Sequence, residues 1–300
     1  CLGSNLIEHL LPEGNEILVI DNFATGKREV VPPVDGLKLV EGTIADASLV
    51  NDCFEEFAPE VVIHSAAAYK DPNDWEEDTA TNVVGTIHVA KASERAKVRR
   101  LVNFQTALCY GRPDCVPIPI NHPERPFTSY GISKTAGERY LLSSGLPVVS
   151  LRLANVTGPR LAIGPIPTFY QRIKAGKLCF CSDTRRDFLD MEDFFSVMEV
   201  VFQPESPLGV FNVSTGESRS IKDVFDAVSK YLDITPEEAP PIVPPRDDDV
   251  PEVVLDPSET ERVLGWKAAV GFEETIHRML VWYDAHGVST VYSHLSATKT

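Results

Sequence analysis

Five short apolar runs occupy the first half of the chain: EILVIDNF (16–23), LKLVEG (37–42), EVVIHSAAA (60–68), RRLVNFQT (99–106) and LPVVSLRLAN (146–155). Each reads as a buried parallel strand. Between them, NVVGTIHVAKASERA (82–96) and SKTAGERYLLSS (133–144) repeat their apolar positions at helical spacing. This alternation predicts an α/β fold with a doubly wound parallel sheet. From about residue 157 the pattern loosens, and prolines punctuate GPRLAIGPIPTF (158–169) and EEAPPIVPPRDDD (237–249). A smaller lobe is expected there, and no internal repeat is visible.

The opening stretch CLGSNLIEHLLPEGNEILVIDN reads as a helix followed by a strand ending in Asp21. In a Rossmann unit a glycine-rich turn opens such a helix, and an acid at the end of the second strand takes the ribose diol. Gly3 fits the last glycine of that turn. The unit's first strand and first two glycines have no counterpart, so the chain is expected to begin inside the motif. Taken alone, Gly3 is equally an ordinary helix-start glycine and Asp21 a turn residue.

The 300 residues suffice for one large domain with a small lobe. With 28 Lys+Arg against 44 Asp+Glu, the net charge of −16 opposes nucleic acid, whose binding needs phosphate neutralisation. A few converging basic residues would still hold a phosphorylated small molecule. The six cysteines (Cys1, Cys53, Cys109, Cys115, Cys179, Cys181) are scattered without metal-site spacing, so they are expected as reduced thiols and no metal is expected. No run of 18 apolar residues and no basic-then-apolar N-terminus occurs, which predicts a soluble cytoplasmic protein.

The densest chemistry lies in TSYGISKTAGE (128–138). Tyr130 and Lys134, four residues apart, share one helix face, so the ammonium can favour the phenolate. An unperturbed phenol, with a pKa of about 10, is a poor base at neutral pH. The strand before it ends in Thr106, whose hydroxyl can bond the same substrate oxygen.

With these motifs the chain resembles the extended short-chain dehydrogenases acting on nucleotide sugars, the group of UDP-glucose 4-epimerase and dTDP-glucose 4,6-dehydratase. The resemblance spans essentially the whole chain and implies a Rossmann-type NAD-binding domain with a smaller C-terminal substrate-binding lobe. It places residues 1–156 and about 186–232 in the first, and 157–185 and about 233–300 in the second. It implies that Gly3 belongs to the cofactor turn, that Asp21 and Asn22 meet the adenosine ribose, and that Thr43 and Ile44 lie by the adenine. Ser65, Ala66 and Ala67 would pass under the cofactor, and Asn82 is a structural residue of the cofactor side. Thr106, Tyr130 and Lys134 match the catalytic three, the last two also touching cofactor. Asn155, Arg186 and Arg246 match residues that hold the nucleotide and its diphosphate. NVSTGES (212–218) and DPSETERVLGW (256–266) match later landmarks. Two positions depart from the pattern: Thr43 stands where an aspartate is usual, and Tyr69 where epimerases often carry a lysine. Asp21 favours NAD over NADP, since a carboxylate repels a 2′-phosphate.

In the 4,6-dehydratases the threonine is followed by an Asp and a Glu that eliminate water. Here Ala107 and Leu108 follow Thr106. The expected reaction is therefore 4-epimerisation of a nucleotide sugar, UDP-linked first of all, through a 4-keto intermediate, with NAD retained. A 4-ketoreductase, a dehydratase and a non-catalytic dinucleotide-binding protein stay open as alternatives. The likeness is to epimerases of O-antigen and surface-polysaccharide synthesis, which makes UDP-hexuronic acids and N-acetylated sugars candidates. Val253 matches the position where a bulky tyrosine excludes N-acetyl groups. The helices near 82–97 and 130–144 resemble those that form a twofold homodimer in this family.

Overall fold

The computed structural model describes residues 1–31, 34–235, 238–246 and 249–288. Asp247 and Asp248 of the late acidic run, and the lobe's expected last residues 289–300, lie outside the described residues.

Helix α1 (Leu2–Leu10) leads into β1 (Ile17–Asp21) and then β2 (Leu37–Glu41), α2 (Ala47–Phe57) and β3 (Val61–His64). Next come α3 (Trp75–Thr79), a π-helical segment Ala80–Gly85 and α4 (Thr86–Ala96), which form one continuous helical run. Strand β4 (Arg100–Thr106), helix α5 (Ser129–Ser143) and strand β5 (Val148–Leu153) complete the predicted alternation. The second half holds β6 (Asn155–Thr157), α6 (Pro165–Lys174), β7 (Cys181–Ser182), β8 (Arg185–Arg186), β9 (Phe188–Asp190), α7 (Met191–Phe202) and β10 (Gly209–Val213). It ends with β11 (Arg219–Ser220), α8 (Ile221–Tyr231), β12 (Ile242–Val243), β13 (Glu252–Val253), α9 (Ser258–Leu264) and α10 (Phe272–His286).

All five predicted strands are present. Strands β1 and β2 pair in parallel, and β10, β5, β4 and β3 form a four-stranded parallel sheet in that order. Alternation along β4 and β5 sends Val102, Phe104, Val149, Leu151 and Leu153 to one face, where they meet Leu6 of α1 and Phe194, Val197, Met198 and Val201 of α7. Leu101 and Val148 face the other way, toward α4 and α5. The sheet is therefore covered on both faces, the doubly wound architecture expected. A separate apolar cluster joins α6, α8 and α10 through Phe169, Val224, Phe225, Ile276 and Leu280.

Two helices start earlier than their apolar periodicity suggested. Helix α5 begins at Ser129 because Thr128 caps it, its hydroxyl accepting from the Gly131 amide at 3.1 Å. The first long helix begins at Trp75 because Asp74 caps it, and its extra residues are polar. Among the described residues no helix is long and apolar enough to cross a membrane. All six cysteines are free thiols; Cys53, Cys109 and Cys181 are buried, Cys179 is half-buried, and Cys1 and Cys115 are exposed.

Candidate active site

Thr106 ends β4 at the edge of the parallel sheet's C-terminal side, where α/β folds assemble their sites. It caps the short turn Ala107–Tyr110, its oxygen accepting from the Leu108 amide at 3.2 Å, and its hydroxyl lies near enough to the Tyr130 phenol to favour the phenolate. Burial pushes that phenol well above its ordinary value, the nearby Tyr69 and Asp78 push the same way, and the Thr106 hydroxyl pulls it back. Tyr69 stands edge-on to Tyr130, ring centroids 6.2 Å apart.

Lys134 lies one turn further along α5 and is buried. Burial lowers its ammonium to about 8, with Glu138 holding it up. Gln105 fixes the backbone there, donating from Nε2 to the Lys134 carbonyl at 3.0 Å. Among the described residues no side chain or backbone group accepts a hydrogen bond from the Lys134 ammonium. His64, under the same charge, is pushed down to about 3, chiefly by burial. Its Nε2 lies 2.8 Å from the Thr86 hydroxyl, which itself donates to the Asn82 carbonyl at 2.7 Å. The neutral imidazole thus carries its proton on Nε2.

The loop leaving β3 carries Ser65, Ala66 and Ala67 and is clamped by Asn82. The Ala68 amide donates to Asn82 Oδ1 at 2.9 Å, while Asn82 Nδ2 donates to the Ala68 carbonyl at 2.8 Å and to Ser133 Oγ at 3.0 Å. Every polar atom of that side chain is engaged within the protein, so Asn82 shapes the loop from behind. The π-helical geometry around it is a form enriched at functional sites. Gly3, in the first turn of α1, faces this loop: a Cβ there would stand 3.4 Å from Ser65 Oγ. The first turn of this helix carries no acid.

Asp21 ends β1 with Oδ1 accepting from the Phe23 amide at 2.7 Å, and Asn22 Oδ1 accepts from the Ala24 amide at 3.1 Å. Thr43 turns the chain beyond β2, its hydroxyl accepting from the Ala45 amide at 3.2 Å. Ile44 is buried with Val50 and Val89, and its carbonyl faces His88 Nδ1 at 3.1 Å. A helix start with a glycine, an acid at the tip of the neighbouring strand and an ammonium with no protein acceptor among the described residues together suit phosphates and ribose hydroxyls. The residues present fit an adenine dinucleotide.

The second group assembles through short strands. Asn155 pairs with Phe188 across β6 and β9, and its Nδ2 donates to the Asp187 carbonyl at 3.0 Å. This sets Asn155 beside Arg186, whose guanidinium pairs with Asp249 and donates to the Arg185 carbonyl. Arg246 is exposed, and its carbonyl accepts from the Asp249 amide at 3.0 Å. Val253 is the register partner of Arg186 and is 8 % exposed. It packs with Ala107, Cys109 and Tyr110 of the turn that follows Thr106. The two candidate groups therefore meet at that turn.

Several contributors carried no motif. Asp187 is buried with its carboxylate accepting from the Thr215 and Gly216 amides, which anchors the NVSTGES turn; burial pushes it up to about 6. Beneath α5, Glu138 and Arg152 form a buried ion pair at 2.7 Å, and Arg152 also pairs with Glu124 and donates to the Tyr110 hydroxyl at 3.0 Å. Alternating polar residues on β4 and β5 were the available signal. One cluster of metal-type ligands occurs among the described residues, His9 with Glu13 and Glu199, and it shares no residue with either group.

Comparison with known proteins agrees with this geometry. Residues 1–214 match the NAD dependent epimerase/dehydratase family. The crystal structure of the Bordetella bronchiseptica enzyme WbmG in complex with NAD and UDP is 66% identical, superposes with a TM-score of 0.95 and covers 99% of this chain and 96% of that one. The same organism's WbmH, in complex with NAD+, is 41% identical with a TM-score of 0.89, covering 96% of each chain. UDP-glucose 4-epimerase of Mycolicibacterium smegmatis is 30% identical over 304 residues, 94% of this chain and 95% of that protein. A phenol near a threonine at the sheet's C-terminal side, a donor set that suits a dinucleotide and a family match over most of the chain lead to one conclusion: this protein belongs to the NAD dependent epimerase/dehydratase family.

Proposed function

We propose that the protein is an NAD-dependent 4-epimerase of a UDP-linked sugar. The observation that carries this reading is the Thr106–Tyr130 pair followed by a turn with no carboxylate. Ala107 is buried and Leu108 packs against the Tyr110, Val250 and Val253 cluster, so neither an acid nor a base stands there to expel water. The UDP-glucose and UDP-arabinose 4-epimerases among its relatives, and the NAD and UDP bound to WbmG, support the cofactor and the nucleotide.

In this mechanism Tyr130, as phenolate, takes the proton of the C4 hydroxyl while Thr106 donates a hydrogen bond to the same oxygen. Bound NAD supplies hydride acceptance and return at C4. The 4-keto sugar turns about its diphosphate link, and Tyr130 returns the proton with the opposite face presented. Asn155, Arg186 and Arg246 keep the nucleotide anchored meanwhile. Gly3, Asp21, Asn22, Thr43, Ile44 and the Ser65–Ala67 loop would line the dinucleotide, with Lys134 donating to its ribose. In this reading residues 1–156 and about 186–232 serve the cofactor, and 157–185 and about 233–300 serve the sugar nucleotide. The enzyme works in the cytoplasm on sugars of surface polysaccharides, as a homodimer; the exposed Val84, Ile132 and Tyr140 on the two helical runs support that association.

The sugar is a UDP-hexose or UDP-hexuronic acid, and the small Val253 leaves room for N-acetyl at C2. The test is a panel of UDP-glucose, UDP-glucuronate and their N-acetylated counterparts, followed by NMR of the equilibrium mixture. N-acetylated members are expected to react at least as well as 2-hydroxy ones, and Val253→Tyr to depress them selectively. Turnover of 2-hydroxy sugars alone, or equal slowing of both, would remove Val253 as the gate. Since Val253 is buried, a thermal melt must accompany the variant, overpacking commonly costing about 1–3 kcal/mol.

A further inference from the structure

The helical run from Trp75 to Ala96 and helix α5 are joined by three rungs, spaced four residues apart in both. At the first, Ser129 Oγ donates to Asp78 Oδ2 at 2.6 Å. At the second, Asn82 Nδ2 donates to Ser133 Oγ at 3.0 Å. At the third, the backbones approach so closely that a Cβ on Gly137 would stand 2.4 Å from the Asn82 carbonyl oxygen and 3.1 Å from Thr86 Oγ1. The equal spacing fixes one register between the helix behind the cofactor loop and the helix that carries Tyr130.

Asn82 and Thr86 already have work, since they hold the Ser65–Ala68 loop and His64. Asp78 has none in the mechanism above. It is only 2 % exposed, and its surroundings are acidic: Asp71, Asp74 and Glu77 lie near it and, with burial, push its carboxyl upward against the Ser129 bond. A buried acid among acids is unfavourable unless the fold holds it for a purpose. Among the described residues its carboxylate accepts from Ser129 alone, the residue before Tyr130.

We infer that Asp78 is a positioning residue for Tyr130: through its hydrogen bond with Ser129 it sets the first turn of α5, from which the phenol projects. The inference rests on Tyr130 being the base. Besides burial, the groups bearing on the phenol are Tyr69 from the loop after β3, Asp78 from α3 and Thr106 from β4. Asp78 and Tyr69 oppose its ionisation and Thr106 favours it. Removing the charge at Asp78 must therefore make the phenol more acidic.

Asp78→Asn keeps an oxygen to accept from Ser129 and removes the charge, whereas Ser129→Ala keeps the charge and removes the bond. The pH dependence of kcat/KM is measured on protein purified with its cofactor, using whichever of UDP-N-acetylglucosamine and UDP-glucose the wild type turns over faster. On the same protein a [13Cζ]tyrosine NMR titration follows Tyr130, identified by its loss in Tyr130→Phe. Asp78→Asn is expected to move both the acid limb and the Tyr130 titration to lower pH. Ser129→Ala is expected to lower kcat about tenfold with KM little changed, the scale of one lost hydrogen bond, in protein that melts like the wild type. Superimposable curves for Asp78→Asn, or undiminished kcat in Ser129→Ala, would overturn the inference. Full turnover in Tyr130→Phe would instead sink the assignment of the base, a failure distinguishable because the NMR titration does not depend on turnover.

Discussion

The two faces of the central sheet are built on opposite principles. Under α7 the contact is hydrocarbon: Val102, Phe104, Val149 and Leu151 meet Phe194, Val197 and Met198, with the Phe104 and Phe194 rings edge to face at 5.3 Å. Under α5 the same strands present Asn103, Gln105, Ser150 and Arg152, and the helix answers with Lys134 and Glu138. Both faces are equally dry, since Asn103, Gln105, Ser150 and Arg152 are all buried. Burial of apolar area stabilises without fixing direction, whereas a buried polar group must find a partner of one geometry. The oily face holds the fold together; the polar face holds one helix at one position and rotation, which is what the role proposed for Tyr130 requires.

The polar face is itself divided. Arg152 is satisfied by Glu138, Glu124 and Tyr110, with its guanidinium also stacked 4.9 Å from the Tyr110 ring centroid. One turn away, Lys134 is as deeply buried and finds no acceptor among the described residues. The first cation belongs to the architecture, and the second is the one the proposed function gives to the cofactor.

The largest effect should come from the functional end of the polar face. Tyr130→Phe is expected to reduce epimerase turnover by roughly 10²–10⁴-fold while the melting temperature and NAD binding stay near those of the wild type. Near-normal turnover would show that the phenol is not the base. The mirror experiment is Phe194→Ala on the oily face, which should cost about 3–5 kcal/mol in urea unfolding and leave the per-molecule turnover of folded protein largely intact. A large loss of turnover without loss of stability would mean that the two faces are not separable.

A subtler effect concerns the orphaned cation. Burial lowers the Lys134 ammonium from its ordinary 10.5 to about 8, so between those values the unfolded chain binds more protons than the folded one. Stability of the cofactor-free protein from this group therefore rises with pH across that window, and the burial penalty is full below it. Lys134→Met is expected to raise the melting temperature of cofactor-free protein at pH 7, with the gap narrowing as pH approaches 10.5. A gap that does not change with pH would mean that Lys134 is not a buried charge in the absence of ligand.

Much of this was readable from residues alone. The doubly wound sheet followed from strands and helices alternating at their own periods, because each period can be buried in only one way. The candidates Thr106, Tyr130 and Lys134 were legible because a strand end and a helical four-residue spacing are local properties. The alternation in VNFQT (102–106) and VSLRL (149–153), by contrast, is the pattern of a sheet with one wet face. Only the packing of α5 over it shows that this face is buried and that its polar residues pair with one another. Asp78 sits in an EED run that reads as hydrated surface, yet it is buried against Ser129 because two distant helices share a register. Asn155, Arg186 and Val253 come together only through strands of two or three residues, too short to carry any periodicity. The sequence by itself determined the elements and singled out the candidate side chains, which depend on neighbours along the chain. Tertiary structure alone decided which polar groups satisfy one another and which is left unpartnered, because that depends on groups brought together from afar.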